Sequence, residues 1–127
     1  MDLQARTWMV LASLSGLLAV AAGAFGAHGV SDPQAKAWLQ TGAQYQLIHA
    51  LAVFACVILW RLGGTTAQLA AWLFLAGGLL FAGSLYLMAL GAPRLLGAVT
   101  PIGGVLLILG WGALAWTALV GARSTPV

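Results

Sequence analysis

Carboxylates are almost missing from this chain. Asp2 and Asp32 are its only acids, five Lys and Arg complete the charged set, and 62% of its 127 residues are hydrophobic. A soluble domain carries roughly 25% charged residues, so this chain lacks the polar groups to cover a water-facing surface. With no Asp or Glu inside any apolar run, a proton-coupled carrier built on an intramembrane carboxylate is disfavoured. Cys56 is the sole cysteine, which rules out an intrachain disulfide or a Cys-based metal site. Its apolar surroundings disfavour the thiolate, and Ser84 has no carboxylate-backed His, so no nucleophilic constellation is visible. The basic residues are scattered one or two to a loop, whereas a nucleic-acid surface clusters them on one face. No GxGxxG or GKS/T phosphate loop occurs among the 17 glycines.

What remains is apolar sequence punctuated by charge. The charges fall at Asp2, Arg6, Asp32, Lys36, Arg61, Arg94 and Arg123, leaving uncharged stretches at 7–31, 37–60, 62–93 and 95–122. Each stretch reaches the 20 or so residues that a helix needs to cross a bilayer core of about 30 Å. The fold class is therefore an all-α membrane protein, an antiparallel bundle of four transmembrane helices in one integral membrane domain over 1–127. The spans are expected at about 8–27, 43–60, 68–90 and 101–120. Arg6 followed by an apolar run resembles a signal peptide, but the run exceeds the usual 7–15 residues and reads as a retained first span. Asp32 and Pro33 form an N-cap and first helical position, predicting a short interfacial helix that bends near Gly42 into span two. Thr100 and Pro101 repeat that arrangement ahead of span four.

Short connections make successive spans antiparallel, with the N-terminus, the 61–67 turn and the C-terminus on one side. Arg6, Arg61 and Arg123 on that side, against Lys36 and Arg94 on the other, favour cytoplasmic termini in the inner membrane. Trp8, Trp60, Trp72 and Trp116 fall near one interface, Trp38 and Tyr45 near the other, and Trp111 lies mid-membrane. Ser15, Ala19, Gly23 and Gly26 form a small-residue stripe on span one. Gly77 on span three and Gly103 and Gly110 on span four extend such packing surfaces, because helices in lipid associate through close backbone approach.

The polar residues gather on the loop-1/loop-3 side, leaving the opposite half of the membrane bland. The candidate polar pole comprises His28, Gln44, Tyr45, His49, Ser84, Tyr86 and Thr100. Thr41, Gln44, Tyr45 and His49 fall within an arc of roughly 140° at 100° per residue, a face that suits the bundle interior. One reading makes these residues interhelical glue. A second pairs His28 with His49 as a metal or haem ligand set, with Met88 as a soft third ligand. Only two histidines and no nearby acid make that set incomplete, so no cofactor is assigned beyond this metal or haem alternative.

Four motifs carry a family resemblance. They are Gly23-Ala-Phe-Gly-Ala-His-Gly29, Thr41-Gly-Ala-Gln-Tyr-Gln-Leu-Ile-His-Ala-Leu51, Leu80-Phe-Ala-Gly-Ser-Leu-Tyr-Leu87, and Thr100-Pro-Ile-Gly-Gly104 with Gly110-Trp111. In this order the chain resembles the small membrane proteins of domain of unknown function 423, whose animal relatives are called transmembrane protein 256. The resemblance implies a four-helix integral protein of the bacterial inner membrane or a mitochondrial one. It brings no established activity and no catalytic residues. The expected function is non-enzymatic: packing with itself or a larger membrane complex, or binding a lipid or small apolar ligand at the loop-1/loop-3 face. The alternatives are the metal- or haem-handling site at His28 and His49 and, ranking below it, a proton- or ion-conducting assembly. The bilayer is the one partner that composition demands.

Overall fold

The computed structural model describes residues 1–121; Arg123, used above to orient the termini, lies outside them. Four helices long and apolar enough to cross a membrane follow one another, α1 over Leu3–His28, α2 over Pro33–Arg61, α3 over Ala67–Ala89 and α4 over Val99–Gly121. A 3-10 turn over Arg94–Ala98 leads into α4.

The two acids start the first two helices. Asp2 accepts from the Ala5 N–H and Asp32 from the Ala35 N–H, both at 2.9 Å, satisfying amides that no helical carbonyl can reach. Pro33 occupies the first turn of α2, where its missing N–H costs nothing. Gly63, at φ 99°, provides the left-handed residue that closes the α2–α3 turn.

Two expected features are corrected. There is no separate interfacial helix and no break at Gly42, because α2 runs as one helix of 29 residues. Gly42 is small for a different reason: a Cβ there would lie 2.6 Å from Cε1 of Tyr86, whose ring crosses the backbone at that point. Thr100 does not cap span four. The 3-10 turn feeds straight into α4, so Thr100 is already helical and its hydroxyl reaches across to α3.

The bundle is opened out. α2 and α3 form the central antiparallel pair, α1 packs on α2 and α4 on α3, while α1 and α4 do not touch. On α3, Trp72, Leu75, Ala76 and Leu79 flank a groove shared with α1, whereas Phe74, Gly77 and Phe81 meet α4. α1 and α4 thus lie on opposite faces of the α2–α3 pair, giving a Z in cross-section. Half of the most apolar window of α2 (50%) is buried against 22% for α1 and α4, so the outer helices give most of their surface to lipid.

Glycines set the closest crossings. A Cβ on Gly103 would lie 2.8 Å from both the Gly77 carbonyl oxygen and Phe81 Cα, so α3 and α4 approach backbone to backbone. Gly110 admits the Phe74 ring in the same way, and Gly23 and Gly26 admit Ala43 and Leu39 of α2. Nearer the 61–67 turn, Trp8 is completely buried against Val53, Cys56, Ala67, Ala70 and Ala71. It meets Trp60 and Trp72 edge to face, at 5.2 and 6.3 Å between ring centroids.

Candidate functional site

His49 sits where α2, α3 and α4 meet, buried to 6% exposure. Its Nδ1 lies 2.6 Å from the Tyr45 carbonyl oxygen, and its Nε2 lies 3.0 Å from Nε1 of Trp111. A carbonyl oxygen only accepts and an indole N–H only donates, so the partners fix the tautomer: Nδ1 carries the proton and Nε2 presents its lone pair. The imidazole is neutral and both nitrogens are engaged. Phe74 and Trp111 enclose the ring at centroid distances of 5.5 and 5.8 Å. Trp111, mid-membrane in the sequence, thereby finds its acceptor on another helix.

The His28–His49 pair does not form. His28 is exposed in the last turn of α1. Gly26 packs against Leu39, which places His28 level with the first turns of α2. His49 lies about a dozen residues further on, roughly 18 Å at 1.5 Å per residue. The Nε2 lone pair that a metal would need is also held by Trp111. Met88 is buried with its sulfur over Gly97, filling a gap under the 3-10 turn. Among the described residues no three His, Cys, Asp or Glu side chains converge as a metal site would require.

The expected pole separates into bolts. Ser84 donates to the Phe81 carbonyl and shares a 2.6 Å hydrogen bond with Thr100, tying α3 to α4. Tyr86 donates to Oε1 of Gln46 at 2.7 Å, and Gln46 Nε2 donates to Ser15 at 3.1 Å, so three helices are joined through one amide. Thr41, Gln44 and Tyr45, expected inside, are exposed on the outer face of α2. Of that arc only His49 is buried, because α2 turns a different stripe, Leu39, Ala43, Gln46, Ala50, Val53 and Val57, into the bundle. Small and apolar residues at that 3–4 spacing were the available signal that Gln46 points inward.

The opposite half of the membrane is not bland either. Gln4 donates to Gln68 at 2.9 Å, and Thr66 and Thr117 share a 2.6 Å hydrogen bond. Arg61 stands 3.7 Å from Asp2, with both side chains about half exposed. Such a pair is worth at most about 1 kcal/mol.

Two lateral grooves lie beside these bolts, on opposite faces of the α2–α3 pair. One, of about 530 Å³, opens between α2 and α4 and is bordered by Gln44, Tyr45, His49, Phe81 and Trp111. The other, of about 400 Å³, opens between α1 and α3 over Ser15 and Gln46.

The sequence model of a family described as Protein of unknown function (DUF423) matches residues 22–104, from the second half of α1 to the first turns of α4. The chain belongs to the DUF423 family. Its relatives include a UPF0382 membrane protein of Haemophilus influenzae, 41% identical over 86% of this chain and 90% of its own. UPF0382 membrane protein YwdK of Bacillus subtilis is 41% identical over 84% of this chain and 90% of its own. UPF0382 inner membrane protein YgdD of Escherichia coli is 39% identical over 92% and 89%. No solved structure matches this DUF423 chain. Family, four apolar helices and relatives agree that it is a multi-pass membrane protein, and the matched segment of this DUF423 member contains His49, Gln46, Tyr86 and the Ser84–Thr100 bolt.

Proposed function

We propose that this DUF423 protein works without catalysis, as a membrane-embedded interaction protein whose α2 outer face docks on a second copy of the chain. One observation carries the reading. Gln40, Thr41, Gln44 and Tyr45 are exposed along two turns of α2, and among the described residues their side-chain polar atoms have no hydrogen-bond partner. If a 30 Å core is centred on α2, Gln44 lies roughly 10 Å inside hydrocarbon. An unsatisfied polar group there costs several kcal/mol, and interhelical hydrogen bonds remove that cost. Carboxamides both donate and accept, so two such strips facing each other across a two-fold axis satisfy one another. Most other buried polar side chains engage a partner inside the bundle, the Trp8 indole N–H being an exception among the described residues, and this supports a non-catalytic role. The 530 Å³ groove beside the strip favours, as a second reading, a lipid or small apolar ligand seated against Gln44 and Tyr45.

Native mass spectrometry from mild detergent tests both. A dimer is expected, and Thr41→Val with Gln44→Leu should weaken it about tenfold, the effect of two interhelical hydrogen bonds at about 0.6–0.7 kcal/mol each. A monomer carrying bound lipid would select the second reading, and a bare monomer would remove both. Cytoplasmic termini are proposed from the sequence count of Arg6, Arg61 and Arg123 on one side against Lys36 and Arg94 on the other. A C-terminal green-fluorescent-protein fusion should therefore fluoresce, and a C-terminal alkaline phosphatase fusion should stay silent.

A further inference from the structure

The α1–α3 groove holds a group of polar atoms that the helices do not fully satisfy. Ser15, Gln46 and Tyr86 together bring four polar protons, one from each hydroxyl and two from the amide. Their two mutual hydrogen bonds, at 3.1 and 2.7 Å, use two of them. With Gln46 Nε2 donating to Ser15 and Oε1 accepting from Tyr86, the Ser15 hydroxyl proton and one Gln46 N–H remain, and no other acceptor meets them among the described residues. Thr7, Ser84 and Thr117 return their hydroxyls to carbonyls of their own helices, whereas Ser15 turns its oxygen to Gln46. Gln46 is only 4% exposed, and it lines the groove together with Ser15. The rest of that wall is apolar, from Leu14, Leu18, Leu75 and Leu79 to Trp72 at one end. The site therefore offers spare donors inside an apolar slot of about 400 Å³, within the size range of small-molecule sites.

Depth decides which acceptor fits. Ser15 lies at the thirteenth residue of the 26 in α1, and Gln46 at the fourteenth of the 29 in α2. Both stand near the bilayer midplane. Phospholipid ester carbonyls sit at the edge of the core, about 15 Å away, and an acyl chain brings no acceptor to this level. A matching ligand must carry its own carbonyl into the hydrocarbon. We propose that the α1–α3 groove binds the ring of a membrane-soluble quinone, with a carbonyl oxygen accepting from Ser15 and Gln46 and the ring flanked by Leu75 and Trp72. The proposal concerns binding alone. It uses the face opposite the α2 strip, so dimerisation and quinone binding stand or fall separately.

The test measures retention of decyl-benzoquinone by the full chain in nanodiscs, with decylbenzene as a carbonyl-free ring of the same tail and protein-free nanodiscs as the partition control. Saturable binding near one quinone per chain is expected, at least tenfold tighter than decylbenzene. Ser15→Ala should reduce that preference severalfold. Ala76→Phe, which fills the groove from its lipid-facing wall without touching the hydrogen bonds, should abolish it. Retention no greater than in empty nanodiscs, equal retention of decylbenzene, or a preference unchanged in both variants overturns the proposal.

Discussion

At the residue scale, most buried polar groups of this protein hold a partner that fixes their orientation, with the Trp8 indole N–H an exception among the described residues. His49 is the clearest case, because obligate donor and obligate acceptor dictate its tautomer. Removing Trp111 leaves a buried nitrogen lone pair unmet, so Trp111→Phe should destabilise the fold by about 1 kcal/mol, at the low end for an orphaned buried group. His49→Phe and the double variant should reveal coupling, with the double costing less than the sum of the singles when unfolding is followed by steric trapping in bilayers. Additive losses would mean that the 3.0 Å contact carries no energy. The sequence suggests Ser84 and Thr100 as polar residues of one leaflet, yet it does not reveal that they bond to each other. Hydrogen-bond pairing depends on helix rotation, and one residue of rotational error moves a side chain by 100°. That error separates Gln44 and Tyr45, which face outward, from Gln46, which faces the core.

At the scale of elements, the small-residue stripes are legible and their partners are not. Gly23, Gly26, Gly77, Gly103 and Gly110 all lie at crossings, and the chain alone marks them by their spacing. Gly42 reads as a flexible joint because glycine weakens helices, whereas α2 continues through it with the Tyr86 ring packed against its backbone. Position therefore controls the outcome of adding a methyl group. Gly103→Ala should separate α3 from α4 and lower stability by about 2 kcal/mol or more, since the obstacles are backbone atoms of α3 that cannot swing away. Gly112→Ala meets nothing within 4 Å and should be neutral or stabilise by up to about 1 kcal/mol through helix propensity. Thermal unfolding of the two variants in one detergent gives the comparison, and similar shifts would contradict the crossing geometry.

At the scale of the whole molecule, charge spacing alone gives the four crossings and their antiparallel order. It cannot say whether the ring closes. Closure depends on which faces of α2 and α3 receive α1 and α4, and in lipid a helix face can be apolar whether it packs on a neighbour or meets hydrocarbon, so hydropathy does not mark it. Two open grooves and an exposed polar strip exist because the ring stays open. That arrangement is the premise shared by the docking and ligand-binding readings. Cross-linking inside native membranes tests it most directly, using a short bis-methanethiosulfonate reagent in a Cys56→Ala background. Gln4→Cys with Gln68→Cys, replacing side chains that now meet at 2.9 Å, should link efficiently within one chain. Leu14→Cys with Leu109→Cys, at mid-height on α1 and α4, should give no link at monomer mass; efficient intrachain linking of that pair would show a closed ring and contradict the Z.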